Sequence, residues 1–292
     1  MKRTDLVLTL GQRLLLLLCF FLICYIATTV LSVVLGHVLA GRGAAALRIS
    51  ALLQDILAFI VPAVGTAVIV SRRPAELLCL TKRPGLLMLA LVAVVLIVSV
   101  PVQEAVIYWN YNISLPEQFD GLLQMCKQLE ALAFETLKTM LGDTGVASLV
   151  VNILIVGVAA GVSEELLFRG CFQRLLVTGG VNVHVAIWTV AFCFSAMHMQ
   201  FLGFVPRMLL GAYFGYLLLW SGSVWVPITA HVLNNTIYVL TSWWQVSHEG
   251  IDSLTSEPTM WSLWPTLGSA VLTTASLYLI YRTANARKIL EK

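Results

Sequence analysis

Residues 14–36 read LLLLLCFFLICYIATTVLSVVLG, a stretch without a single charged side chain. A helix needs about 20 apolar residues to cross the hydrocarbon of a bilayer, and this stretch is long enough. It is also longer than the apolar core of a cleavable signal peptide, which has roughly 7–15 residues. We therefore interpret it as a first membrane span.

Similar apolar stretches recur along the rest of the chain. Of its 292 residues, 59% are hydrophobic and only 11% are charged, whereas a soluble domain carries about 25% charged residues. The sequence therefore predicts an all-α, polytopic membrane protein with about eight transmembrane helices. The predicted spans lie near 14–36, 49–70, 86–109, 146–177, 184–203, 205–220, 224–243 and 261–281.

One further helical segment, 117–142, has a different pattern. Its apolar residues follow helical spacing, with Glu, Lys and Gln between them. Such a segment favours an amphipathic helix that lies on the membrane surface instead of crossing the bilayer.

The chain contains no linker rich in Pro, Gly or Ser and no long repeat, so we expect 1–292 to be a single membrane domain. Within it we distinguish three N-terminal spans (1–110), the interfacial helix (111–145), a catalytic core (146–245), and the last span with a basic C-terminal tail (246–292).

The basic residues predict the orientation. Twelve Lys and Arg residues lie in segments on the N-terminal side of the membrane and five on the other, and cytoplasmic loops are enriched in these residues. We therefore expect both termini in the cytoplasm and a bacterial cell membrane as the location. The net charge of +3 is dispersed, which gives no support for nucleic-acid binding.

Residues 161–169 read GVSEELLFR within the fourth predicted span. Ionisable side chains in a span cost about 2.5–3.5 kcal/mol each on insertion scales and usually serve a function. Glu165 and Arg169 are four residues apart, so they share a helix face and can form an ion pair. Glu164 points about 100° away, which leaves it free to act as a base. The charges can also serve only to hold helices together.

Two later spans add polar residues at the same helical spacing. Phe194 and His198 are one helical turn apart, and so are His231 and Asn235. Glu164, His198 and Asn235 all fall roughly 17–21 Å above the inner ends of their spans. The structural alternative is a buried histidine or asparagine that merely bridges helices. Asp55 in span two is interpreted in that way.

The order Glu-Glu-x-x-x-Arg, Phe-x-x-x-His and His-x-x-x-Asn on successive membrane helices resembles the CAAX protease and bacteriocin-processing (CPBP, or Abi) family of intramembrane endopeptidases. The resemblance covers about 161–238, and the eight-helix layout is similar. It implies that Glu164 and His198 activate water, whereas His231 and Asn235 stabilise the tetrahedral intermediate.

The resemblance also implies that Glu165 and Arg169 keep the site in shape. From the spacing of one helical turn, we expect Phe194 to form the wall beneath His198. The family is sometimes described as metalloproteases, and Glu164, His198 and His231 are the residues able to ligate zinc. Because the pattern is not the HExxH helix, we favour a metal-independent site and assign no cofactor.

The sequence thus predicts an enzyme that hydrolyses a peptide bond in a membrane-associated protein or peptide, with a prenylated CAAX-type protein as one option, at a cavity open to the cytoplasm. One alternative is a proton-coupled transporter, although such proteins usually show an internal repeat. The other is a catalytically silent family member that acts as a binding or immunity protein. The sequence predicts neither the substrate nor the oligomeric state.

Overall fold

The computed structural model describes residues 8–39, 43–114, 116–254, 258 and 260–290. This part of the chain folds into helices joined by short connections and contains no strand. We number the helices α1 (Leu10–Val38), α2 (Gly43–Val70), α3 (Pro74–Leu77), α4 (Leu86–Val98), α5 (Val100–Tyr111), α6 (Asp120–Leu141), α7 (Val146–Thr178), α8 (Val183–Met197), α9 (Phe204–Ser221), α10 (Trp225–Glu249) and α11 (Leu263–Leu290).

The all-α, polytopic membrane architecture is confirmed. Every predicted span coincides with a helix or, for 86–109, with a pair of helices. In the described part of the chain, five helices (α1, α2, α7, α9 and α11) are long and apolar enough to cross a bilayer, and the bent pair α4–α5 makes a sixth. Helix α8 is apolar but has only 15 residues. The count of eight spans therefore remains a prediction.

The predicted span 86–109 is broken. Helices α4 and α5 meet at Ser99 with a bend of 51°, next to Pro101, which lacks a backbone N–H and interrupts regular helix bonding. Ser269 of α11 forms hydrogen bonds with two backbone groups at this break. Its hydroxyl donates to the Val98 carbonyl at 2.6 Å and accepts the Val102 N–H at 3.1 Å.

Three stretches of the long helices are π-helical: Asp55–Ile60 in α2, and Ile153–Ala159 and Leu166–Gln173 in α7. The carboxylates predicted for the site lie in the short α-helical stretch between the last two, Ala160–Glu165. Insertions of this kind widen a helix locally, expose backbone carbonyls and occur frequently at functional sites.

Glycines bring α7 and α10 into backbone contact. A Cβ atom at Gly161 would lie 2.8 Å from Val232 Cγ2 and 2.9 Å from the Val232 backbone nitrogen. One turn earlier, a Cβ at Gly157 would lie 2.7 Å from the Thr236 hydroxyl. These two glycines, one helical turn apart, therefore form the contact that places the carboxylates of α7 beside the His231 turn of α10.

The two ends of the bundle contain different parts of the chain. The start of α1 contacts the end of α7, where a Cβ at Gly179 would lie 2.7 Å from Leu10, and Ala284 near the end of α11 packs against Met88 at the start of α4. Both ends of the described chain therefore lie at one end of the bundle, which we call the termini end. The amphipathic helix α6 and the α8–α9 turn lie at the opposite end.

Candidate active site

The two adjacent glutamates have different environments. Glu165 accepts a hydrogen bond from Arg169 Nη1 at 2.6 Å, and neither side chain is exposed. The same carboxylate oxygen, Oε1, accepts from His231 Nδ1 at 2.9 Å. Because a carboxylate paired with arginine is ionised and only accepts, Nδ1 of His231 carries the hydrogen. Its other nitrogen, Nε2, is turned away from Glu165.

Arg169 is held inside an aromatic cage. Its guanidinium carbon lies 4.5 Å from the centre of the Phe194 ring, 5.3 Å from Phe214 and 5.8 Å from Phe168. Nη2 donates to the Gly211 carbonyl at 2.9 Å. These π faces and the Glu165 carboxylate offset part of the cost of burying the charge.

Glu164 has no such partner. Its side chain is 15% exposed, and its Oε2 atom lies 4.0 Å from His231 Nε2. Among the described residues, no group donates a hydrogen bond to this buried oxygen. The unpartnered oxygen is available to accept a proton, whereas Glu165 is already engaged.

His198 is exposed at the end of α8. Its Nδ1 donates to the Phe194 carbonyl at 2.9 Å, so the lone pair of the neutral ring is on Nε2. The Phe194 ring separates the two histidines, with centroids 5.2 Å from His198 and 5.8 Å from His231. Glu164 lies within electrostatic range of His198. The buried Phe194 therefore forms a wall between the rings.

Asn235 lies one turn after His231 and connects two helices. Its Nδ2 donates to the Val156 carbonyl at 3.0 Å, in the first π-helical stretch of α7. Its Oδ1 accepts from Asn234 at 3.2 Å. An amide nitrogen carries two hydrogens, so one N–H of Asn235 remains beyond the bond to Val156.

The structure places a further acidic residue near the site, one that the sequence analysis interpreted only as bridging helices. Asp55, buried at the start of the π-helical stretch of α2, accepts a hydrogen bond from the Ser163 hydroxyl at 2.9 Å. It lies within electrostatic range of Glu164 and His231. A carboxylate inside an apolar span was the available signal, the same one that identified Glu164.

The donor set does not form a metal centre in this geometry. Within 8–39, 43–114, 116–254 and the remaining described residues, no three His, Cys, Asp or Glu side chains converge in a way that could hold a metal ion. Glu164, His198 and His231 are brought to one region, but Glu165 engages one ring nitrogen of His231 and the Phe194 ring separates the two imidazoles. We therefore derive no step through a metal.

The side chains around the carboxylates differ in exposure. Phe194, Arg169 and Phe214 are buried, whereas His198, directly after α8, is exposed. The sequence predicted that both the termini and the cavity face the cytoplasm. Which side of the membrane each of them faces stays a prediction.

Comparison with known families agrees with the motifs. Residues 146–237 match the family model described as type II CAAX prenyl endopeptidase Rce1-like. This stretch is similar to that family. It contains all the residues of the three motifs, and it confirms the resemblance to the CAAX protease and bacteriocin-processing family. The Rce1-like families are membrane proteases that act on membrane-associated proteins.

One curated relative is similar to part of the chain. It is an uncharacterised protein, YpbD, of Bacillus subtilis (strain 168), which is 26% identical over 91 residues. The aligned region is 30% of this chain and 43% of YpbD, so the chain covers less than half of that relative. No solved structure matches the chain.

Proposed function

We propose that the protein is an intramembrane endopeptidase in which Glu164 activates water for attack on a peptide bond. The observation that carries the proposal is that the two adjacent glutamates have different hydrogen-bond partners. Glu165 is neutralised by Arg169 and bonded to His231. Glu164 Oε2 is unpartnered among the described residues and faces His231 Nε2 across 4.0 Å.

In the proposed reaction, a water molecule donates one hydrogen to Glu164 and the other to the Nε2 lone pair of His198. Glu164 takes its proton as the water oxygen attacks the scissile carbonyl carbon. The carbonyl oxygen becomes an oxyanion. Glu164 then delivers the proton to the amide nitrogen, the C–N bond breaks, and the products are a carboxylic acid and an amine.

Oxyanion stabilisation is assigned to His231 and Asn235. His231 donates from Nε2 only as an imidazolium, because its other hydrogen is committed to Glu165. The Glu165 carboxylate supports that positive charge and orients the ring. Asn235 contributes the N–H that is not bonded to Val156. In a cavity of low dielectric constant these bonds are stronger than in water.

The substrate class follows from the family and the surroundings. An integral membrane protein with an Rce1-like core receives a membrane-associated protein or peptide, and prenylated CAAX-type proteins are the first class to test.

The decisive experiment measures cleavage of a panel of prenylated and unprenylated membrane peptides by the purified protein in detergent. Glu164→Gln is the test variant, and Glu135→Gln on the exposed face of α6 is the control. We expect cleavage by the wild type and the control, and loss of at least about a hundredfold in Glu164→Gln. Turnover at the wild-type rate in Glu164→Gln would overturn the mechanism. A parallel assay with chelator tests metal dependence.

A further inference from the structure

Arg207 at the start of α9 is a cation held beside the candidate site. Gln200 positions it from two directions, since Nη2 donates to Gln200 Oε1 at 2.7 Å and Nη1 to the Gln200 carbonyl at 3.4 Å. The side chain also lies across Gly203, where a Cβ atom would be 3.1 Å from Nη2. The guanidinium is therefore held in place by neutral groups.

The turn that carries Gln200 is unusual. Met199, directly after His198, has a φ of 53°. A non-glycine residue in the left-handed region costs of order 1–3 kcal/mol and is found preferentially at functional sites. This turn places His198 two residues before Gln200, the residue that holds Arg207. His198 and the residue that holds Arg207 thus belong to the same turn.

The positive charge of Arg207 lacks a close counter-ion. Glu130 and Glu164 interact with it electrostatically, but among the described residues neither they nor any other carboxylate lies within 4.0 Å of it. Burial raises the pKa of the Glu130 carboxyl, although Arg207 and the Leu202 backbone lower it. Burial therefore works against full neutralisation of Arg207 by Glu130.

We propose that Arg207 binds a carboxylate of the substrate and so selects peptides that are cut close to their C-terminus. Guanidinium and carboxylate form paired, charge-assisted hydrogen bonds that a neutral amide does not match. A short apolar peptide carries its negative charge at its C-terminal carboxylate. Bound to Arg207, that group would fix the distance between the chain end and the bond presented to Glu164. This inference rests on the proposed endopeptidase function.

The experiment compares peptides that differ only at the C-terminus, as a free acid or a primary amide. Wild type, Arg207→Gln and Arg207→Lys are assayed with both, and Arg73→Gln at the termini end is the control. We expect Arg207→Gln to lose about tenfold or more in kcat/KM on the acid, mainly through KM, with little change on the amide. Arg207→Lys should recover part of the loss. A third peptide, an amide with an aspartate next to its C-terminus, distinguishes a terminal carboxylate from a side-chain carboxylate.

Equal losses on the acid and the amide would indicate a purely structural role and overturn the inference. Binding of fluorescent acid and amide peptides to Glu164→Gln, with and without Arg207→Gln, gives a readout that does not need catalysis. If the wild type cleaves nothing, the proposed function fails. The carboxylate inference then stands only if the acid binds better than the amide and Arg207→Gln removes that difference.

Discussion

His231 donates its Nδ1 hydrogen to Glu165 at 2.9 Å, across the contact between α10 and α7. Glu165 thereby has two functions, because it also neutralises Arg169. The sequence suggested a shape-keeping role for this glutamate. The bond to His231 adds an orienting role, since it determines which nitrogen of the ring faces Glu164. The paired carboxylate thus acts on the proposed chemistry through His231.

These two roles are separable by mutation. Glu165→Ala and Arg169→Ala each leave one buried charge without its partner, which costs about 3–5 kcal/mol. The double variant Glu165→Leu/Arg169→Leu removes both charges, so we expect it to recover much of the stability but none of the activity, because His231 has lost its acceptor. Thermal unfolding in detergent and peptide cleavage measure the two effects. A double variant that cleaves like the wild type would contradict the orienting role.

The close contact of α7 and α10 gives a second prediction. Gly161→Ala places a methyl group 2.9 Å from the Val232 backbone nitrogen, so the helices must separate. We expect a folded protein with cleavage reduced about tenfold or more, because small displacements of catalytic groups have large effects. Gly268→Ala is the matched control, since a Cβ there meets nothing within 4 Å. Unchanged cleavage by Gly161→Ala would show that the site tolerates the separation.

The sequence predicted which site residues share a face of one helix, but not which side chains on different helices contact each other. The Glu165–Arg169 pair follows from a spacing of four residues on one helix, and the His198 and His231 turns follow the same rule. The bond between Glu165 and His231 depends on how α7 and α10 pack, which no spacing within one helix determines. Asp55 was interpreted from the sequence as a residue that bridges helices, and its contact with Ser163 joins α2 to α7. Its position near Glu164 again depends on how the helices pack.

The π-helical stretches were also beyond the sequence interpretation. Apolar periodicity reports where a helix lies, but a single inserted residue changes which side chains share a face without changing the composition. The 51° bend at Ser99 had a visible signal in Pro101. We predicted one unbroken span, 86–109, because apolar residues continue on both sides of the proline.

Asp143 gives a prediction for pH. Its carboxylate accepts hydrogen bonds from the Ser148 hydroxyl and the Gly145 N–H at the start of α7, and these bonds lower the pKa of Asp143. A lowered folded-state pKa stabilises the fold above the unfolded pKa of about 3.9. That stability is lost as the pH falls through the folded value. We expect Asp143→Asn to lower the Tm at pH 7 and the difference from wild type to close below about pH 4. A constant difference over that range would contradict it.

The orientation of the bundle is the last prediction. The basic residues at the termini end favour the cytoplasm for that end, and α6 lies at the other end. In a cysteine-free background, we therefore expect an impermeant maleimide to label Glu117→Cys near α6 in intact cells. Arg73→Cys at the termini end should react only after the cells are lysed. The opposite pattern would place the termini outside, against the charge distribution. Labelling of both positions in intact cells would contradict the arrangement of the two ends in this fold.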